Sequence, residues 1–262
     1  MIGIIGAGNM GMAIAKRING KVLISDIDKL KLRAFKDNRI AAALNNIELV
    51  RHSNIVILSV KPQDFTALLK EIKPYVKSKL VISIAAGINT AFIERILCSR
   101  VRVIRVMPNM PSAVGKGISA ITTGRFAGFK DIRIARSIFL KLGEVVEIKE
   151  NLMDAVTAVS GSGPAYYFLF TALLEKAACA NGLGKGIASR LARATFIGAA
   201  EVAKGIDFSM DDFIKKVASK GGTTEIALKV FKEYDLEGIV KKAVTAARKK
   251  SCCLNKKITR LK

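Results

Sequence analysis

The chain has 262 residues, half of them hydrophobic, with 44 Lys and Arg against 21 Asp and Glu, a formal net charge of +23. That composition excludes a disordered chain, and the length can bury about 70–75% of the unfolded surface in one large domain or two ordinary ones. Apolar runs such as 165–174 fall far short of the ~20 residues of a membrane span, and the basic residues are spread along the chain with no nucleic-acid motif beside them.

The first residue leads straight into a strand, Ile2 to Ile5, which leaves no room for a signal peptide. The strand runs into Gly6-x-Gly8-x-x-Gly11, and Met10, Ala13, Ile14 and Ile18 then recur at helical spacing. This is the strand–turn–helix of a dinucleotide-binding βαβ unit. Gly6 permits the tight turn, Gly8 lets the backbone approach a pyrophosphate, and Gly11 lets the helix pack closely on the strand. The N–H groups at the helix start face the phosphates, where the helix dipole favours negative charge. Val22 to Ser25 is a second strand, and Asp26 closes it, twenty residues beyond Gly6. A carboxylate there can accept from the ribose hydroxyls of an adenosine. It repels a 2′-phosphate by at most ~3 kcal/mol per unit charge at ~5 Å and an effective dielectric of ~20. The lean is therefore to NADH over NADPH, tempered by Lys29, Lys31 and Arg33.

Further strands come at 55–60, 80–84, 101–106, 118–122 and 145–148, alternating with helical patterns. Such alternation predicts a mostly parallel, doubly wound sheet, with ligands at the carboxyl ends of its strands. Lys61-Pro62, Ala85-Ala86-Gly87 and Met107-Pro-Asn109 then border one crevice.

Near Asn151 the β patterns stop and helical ones run to the end. Gly161-Ser-Gly-Pro-Ala165 opens a helix whose residues 165–174 are apolar on nearly every face. A helix apolar all round needs burial all round, which points to a subunit interface in a homodimer or a higher homo-oligomer built from dimers, the alternative being the central helix of a monomeric bundle. Further on, Ser219-Lys-Gly-Gly-Thr-Thr-Glu225 opens another helix. Glycines and hydroxyls at a helix start can hold a carboxylate or phosphate; the same residues also serve as a turn with Thr223 or Thr224 as N-cap. Residues 241–262 are basic with no acid among them, the pattern of a solvated helix end. Cys98, Cys179, Cys252 and Cys253 show neither metal-ligand nor redox spacing, and the sole histidine, His52, lies in a polar link. A reduced, cytoplasmic protein without structural metal is expected.

Taken together, Gly6-Ala-Gly-Asn-Met-Gly11, Val60-Lys-Pro-Gln63, Ser83-Ile-Ala-Ala-Gly87, Arg105-Val-Met-Pro-Asn109, Ala158-Val-Ser-Gly-Ser-Gly-Pro-Ala-Tyr166 and Gly221-Gly-Thr-Thr224 resemble, in this order, the pyrroline-5-carboxylate reductase family. The resemblance runs from Met1 to about Ser251. It implies a Rossmann domain at 1–150 and a helical substrate-binding and dimerisation domain at 151–262, with the active site between domains and across subunits. It also implies hydride transfer from NADH or NADPH to the cyclic imine 1-pyrroline-5-carboxylate, giving L-proline. Gly6, Ala7, Gly8, Asn9, Met10, Gly11, Asp26, Asn46, Ser59, Val60, Lys61, Pro62, Ile84, Ala85 and Ala86 match the family's cofactor contacts. Ser219, Gly221, Gly222, Thr223 and Thr224 match its substrate site, with Thr224 as the hydroxyl on the imine nitrogen.

Three positions depart from the family pattern. Lys220 stands where proline is usual, Met110 where threonine is usual, and Asp207 where some members carry glutamate. The rival enzyme class, the β-hydroxyacid dehydrogenases, needs a lysine base four residues after Gly163, and Tyr167 stands there. A non-catalytic, nucleic-acid-associated protein rests on net charge alone.

Overall fold

The computed structural model of the chain describes residues 1–33, 37–97, 100–204 and 208–259. The chain divides into two compact units, Met1–Ser162 with Ala246–Lys262, and Gly163–Thr245. The first unit runs β1 (Ile2–Ile5), α1 (Asn9–Arg17), β2 (Val22–Ser25), α2 (Lys29–Arg33), β3 (Ile40–Ala42), α3 (Asn46–His52), β4 (Ile55–Leu58) and α4 (Phe65–Ile72). It continues with β5 (Leu80–Ser83), α5 (Thr90–Leu97), β6 (Arg102–Met107), β7 (Gly117–Thr123), α6 (Phe129–Phe139), β8 (Gly143–Glu147) and α7 (Met153–Val156).

Among the described residues the strands form one sheet in the order β3-β2-β1-β4-β5-β6-β7-β8. Every neighbouring pair is parallel except β6 with β7. That exception has a chain-length cause. Only residues 108–116 join β6 to β7, too few for a crossover helix, so the chain must turn back. The sheet is the expected doubly wound, mostly parallel one.

Alternation along each strand feeds two cores. Ile4, Ile24, Ile57, Ile82, Ile104 and Val106 face α1 and α6, joining Ile14 and Phe139. Ile5, Val56, Leu58, Val81 and Val103 face α3, α4 and α5, joining Leu49, Leu69 and Phe92. The parallel strands are therefore buried on both faces, as their near-continuous Val and Ile runs require. Sequence patterning does not reveal β3, because it offers only Ile-Ala-Ala, with both alanines exposed at the sheet edge.

Two strands are shorter than expected: β4 stops at Leu58 and β5 at Ser83. The residues just beyond, Ser59 to Pro62 and Ile84 to Ala86, leave the ladder as loops.

The second unit is helical: α8 (Gly163–Ala180), α9 (Lys185–Val202), α10 (Met210–Val217), α11 (Thr223–Glu233) and α12 (Leu236–Thr259), the part of α12 from Ala246 belonging with the first unit. Helix α8 stacks Tyr167 and Phe168 about Phe196 of α9, with ring centroids 6.0 and 6.3 Å apart. Leu169 is nevertheless 60% exposed, and Leu173, Leu191, Ile197, Ile226 and Ile239 are exposed as well. No described helix is long and apolar enough to cross a membrane.

Candidate active site

The strand ends of the first unit are in lateral register: Ile5 pairs with Ser25 and Leu58, Leu58 with Ser83, and Ser83 with Arg105. The loops that leave these ends accordingly lie along one carboxyl edge. That brings together Gly6 to Gly11, Asp26, Ser59 to Pro62 and Ile84 to Ala86. The strand order reverses direction between β1 and β4, the place where open α/β sheets leave a ligand crevice.

The three glycines of the turn meet three different surroundings. Gly6 has φ +106°, a left-handed value, and a side chain there would collide with the Ser59 carbonyl. A side chain at Gly11 would collide with the Gly6 carbonyl, so α1 can sit this close to β1 only with glycine. At Gly8 a Cβ would meet no atom of the described residues within 4 Å. Gly8 caps α1 in extended conformation with no side chain bonded over the helix start. The N–H groups of Asn9, Met10 and Gly11 begin the helix and have no intrahelical acceptor behind them. An open glycine in front of these donors fits a dinucleotide pyrophosphate.

Asp26 sits against this turn with its side chain 9% exposed. One carboxylate oxygen accepts from the Ala7 N–H at 2.7 Å, the other from the Asp28 N–H at 2.8 Å, and Lys31 Nζ lies 3.6 Å away. Lys29 is engaged elsewhere, donating to the Leu44 carbonyl, and the Arg33 side chain lies outside the described residues. Asn46 opens α3 and is held on both sides: its Oδ1 accepts from Ser25 Oγ at 2.8 Å and its Nδ2 donates to Glu71 at 2.9 Å. Ser59 and Val60 are half-buried, Lys61 is exposed, and Pro62 starts a 3-10 turn. Ala85 is buried between the half-buried Ile84 and Ala86, its N–H donating to Ser83 Oγ at 3.3 Å.

The second group of residues forms a turn of its own in the helical unit. The Gly222 N–H donates to the Ser219 carbonyl at 3.0 Å, Gly221 takes φ +74°, and Glu225 reaches back to accept from the Gly221 N–H at 2.6 Å. The N-cap of α11 is Gly222, with no side-chain cap bond. Thr223 and Thr224 are thus the first two helical residues, not the cap that the sequence left open. Capping engages neither hydroxyl, and the first-turn N–H groups have no helical acceptor. Glu225, which fixes the turn, is not singled out by the sequence pattern, although an acid at the third helical position is the residue of a capping box. Lys220 is exposed beside the turn, and Met110 is 65% exposed at the start of the 110–114 turn. Asp207 lies outside the described residues.

Residues 157–161 form a π-helical turn, in which the Ser162 N–H reaches back to the Thr157 carbonyl at 2.9 Å. Thr157 Oγ1 and Ser160 Oγ donate to the carbonyls of Met153 and Val156, bonds that bend a helix. Tyr167, one turn beyond Gly163, stacks on Phe196 and stands where the rival class needs its lysine.

Arg105 opens one of the motifs that carry the family resemblance, yet the sequence assigns it no role. It falls within a strand that reads as buried, yet its guanidinium is itself only 2% exposed. Burial pushes it below its ordinary pKa, while the charges of Glu150 and Asp154 oppose that shift. A signal does exist: an arginine two residues from Val103 shares its face of the sheet.

Comparison with known proteins adds a second line. Residues 150–254 match the family model described as pyrroline-5-carboxylate reductase dimerisation, and residues 1–87 match one described as NADP oxidoreductase, coenzyme F420-dependent. The pyrroline-5-carboxylate reductase of Methanosarcina acetivorans is 36% identical over 98% of both chains. That of Pisum sativum is 33% identical over 95% of this chain and 94% of its own. The crystal structure of Plasmodium falciparum pyrroline carboxylate reductase with NADP bound superposes with a TM-score of 0.86, 32% identity and 97% coverage of both chains.

Proposed function

The chain belongs to the pyrroline-5-carboxylate reductase family, and on that premise we propose that it reduces 1-pyrroline-5-carboxylate to L-proline with a nicotinamide cofactor, the last step of proline biosynthesis. Residues 1–150 bind the dinucleotide, and residues 151–262 bind the substrate and build the oligomer. The single observation that carries the substrate site is the start of α11, where a glycine cap leaves the hydroxyls of Thr223 and Thr224 out of the capping among the described residues.

The bound cofactor supplies the hydride. The protein's part is placement. The N–H groups of Asn9, Met10 and Gly11 take the pyrophosphate in front of Gly8, and Asp26 holds the turn to which they belong. Ser59 to Pro62 and Ile84 to Ala86 leave the same edge of the sheet and would hold the rest of the cofactor. Ser219, Gly221, Gly222 and Thr223 hold the substrate carboxylate with backbone donors and hydroxyls, an anion at a helix N-terminus. Thr224 Oγ1 hydrogen-bonds the imine nitrogen and orients the ring. A cyclic imine protonated at nitrogen is already electrophilic at carbon, so no side chain must deliver a proton to a developing alkoxide. Catalysis then consists of alignment and exclusion of water, which suits a site with so few titratable groups.

Asp26 favours NADH, because a 2′-phosphate would approach a carboxylate only partly balanced by Lys31. The exposed apolar residues of α8, α9, α11 and α12 are covered by a second copy of the chain, so the working unit is a homodimer or an assembly of dimers. A small-molecule substrate calls for neither nucleic acid nor membrane, and the free thiols of Cys179, Cys252 and Cys253 accord with a cytoplasmic location.

The test is oxidation of NADH and of NADPH by purified protein supplied with 1-pyrroline-5-carboxylate. Turnover with formation of proline is the expected result, faster with NADH. A folded dimer silent with both cofactors refutes the assignment.

A further inference from the structure

Arg105 is out of keeping with its surroundings. It heads the largest fully buried side chains of the described residues, on a face it shares with Val103 and the α5 side of the core. Its Nη1 lies 3.5 Å from Glu150 Oε1, and its Nη2, although buried, has no hydrogen-bond partner among the described residues. Replacing both members of a buried ion pair by apolar residues is often neutral or stabilising, whereas removing one partner alone is destabilising, so the pair is weak evidence that the fold alone keeps an arginine here. A single long contact with one arm unsatisfied is not an arrangement that stability alone retains.

The acids around Arg105 have definite partners. Glu150 accepts from the Thr90 N–H at 2.8 Å and from Thr90 Oγ1 at 2.6 Å. Asp154 accepts from Ser251 Oγ at 2.7 Å, and Ser251 is 4% exposed. Glu150 and Asp154 lie where the chain leaves the sheet unit, shortly before Gly163, and Ser251 lies where α12 has come back to it. Thr90 opens α5, just after Ile84 to Ala86. One buried cation thus stands at the meeting point of departure, return and the loop beyond β5.

We propose that Arg105 is a positioning residue for hydride transfer, which holds on the sheet, through Glu150 and Asp154, the two segments that carry the chain to and from the substrate-binding helices. The proposal rests on the reductase reading. Hydride transfer is sensitive to misplacement on the ångström scale, even by a group remote from the reacting atoms, so loss of this anchor acts on kcat and leaves cofactor binding in place.

The experiment compares wild type, Arg105→Lys, Arg105→Met and Glu150→Gln in three readouts: steady-state kinetics with 1-pyrroline-5-carboxylate, fluorescence titration with NADH, and hydrogen–deuterium exchange. Arg105→Met is expected to lower kcat at least tenfold with the Kd for NADH within twofold of wild type. Exchange should quicken in 150–162 and 246–254 together, and not in 2–17. Arg105→Lys should recover most of kcat. If Arg105→Met does not fold, Glu150→Gln carries the same test with the arginine in place. Wild-type kcat in Arg105→Met, or in Glu150→Gln where that variant stands in, overturns the proposal. So does a loss of protection spread over the whole sheet unit with weakened NADH binding, which marks mere fold support. An inactive wild type refutes the reductase reading instead, and the exchange pattern then still decides whether Arg105 ties the two segments.

Discussion

The backbone N–H of Ala7 donates to the Asp26 carboxylate at 2.7 Å. The acid at the end of β2 therefore braces the glycine turn, while its other oxygen accepts from the Asp28 N–H. Removing it does two things. Asp26→Ser lifts the charge penalty on a 2′-phosphate, and it leaves the Ala7 N–H without its acceptor, at about 1–3 kcal/mol. The expected outcome is a kcat/KM for NADH down roughly tenfold or more and a NADPH-to-NADH ratio shifted toward NADPH. An unchanged ratio would show that Asp26 does not read the cofactor.

Gly8 and Gly11 make a paired test. In Gly8→Ala the added methyl enters open space, so the Tm should stay near wild type while the KM for either cofactor rises. In Gly11→Ala the methyl meets the Gly6 carbonyl, and overpacking of this kind costs about 1–3 kcal/mol. The Tm should fall there. Thermal melts with and without NADH separate the two, and equal melts for both variants would contradict the geometry.

Thr224→Ala removes a hydroxyl that capping does not engage, so folding should be unaffected. A hydrogen bond to a charged group is worth about 1.5–3 kcal/mol, and kcat/KM should drop by roughly ten- to a hundredfold without vanishing. Thr224→Ser should retain most activity. An unaltered kcat/KM in Thr224→Ala would remove this residue from the site.

Leu169→Glu places a charge on the exposed apolar surface of α8. An interface that desolvates it should not form, and sedimentation should find a monomer where wild type sediments as a dimer or larger. Activity should fall with the assembly. A monomeric wild type would refute the oligomer.

How much of the chain is legible depends on how local the physics is. The glycine turn can be read because φ at Gly6 and the closeness of Gly11 to Gly6 are backbone matters within six residues. Asp26 can be placed by spacing, yet its bond to Ala7 depends on two strands lying side by side, which no spacing states. Thr223 and Thr224 are assigned correctly to a helix start, but the N-cap goes to Gly222 because Glu225 ties the Gly221 N–H from within the helix. β3 is missed for want of apolar residues. Arg105 is left without a role because a period of two says which face a residue joins, not what it meets there.

The bond from Ser251 to Asp154 spans 97 positions of sequence. A ribosome adds about 5–20 residues per second, so Ser251 is made roughly 5–20 s after Asp154. For that interval Asp154 lacks the hydroxyl partner that it has in the folded chain. That contact can be made only after α8 to α11 have been synthesised, which ties completion of the sheet unit to the helices that lie between Asp154 and Ser251.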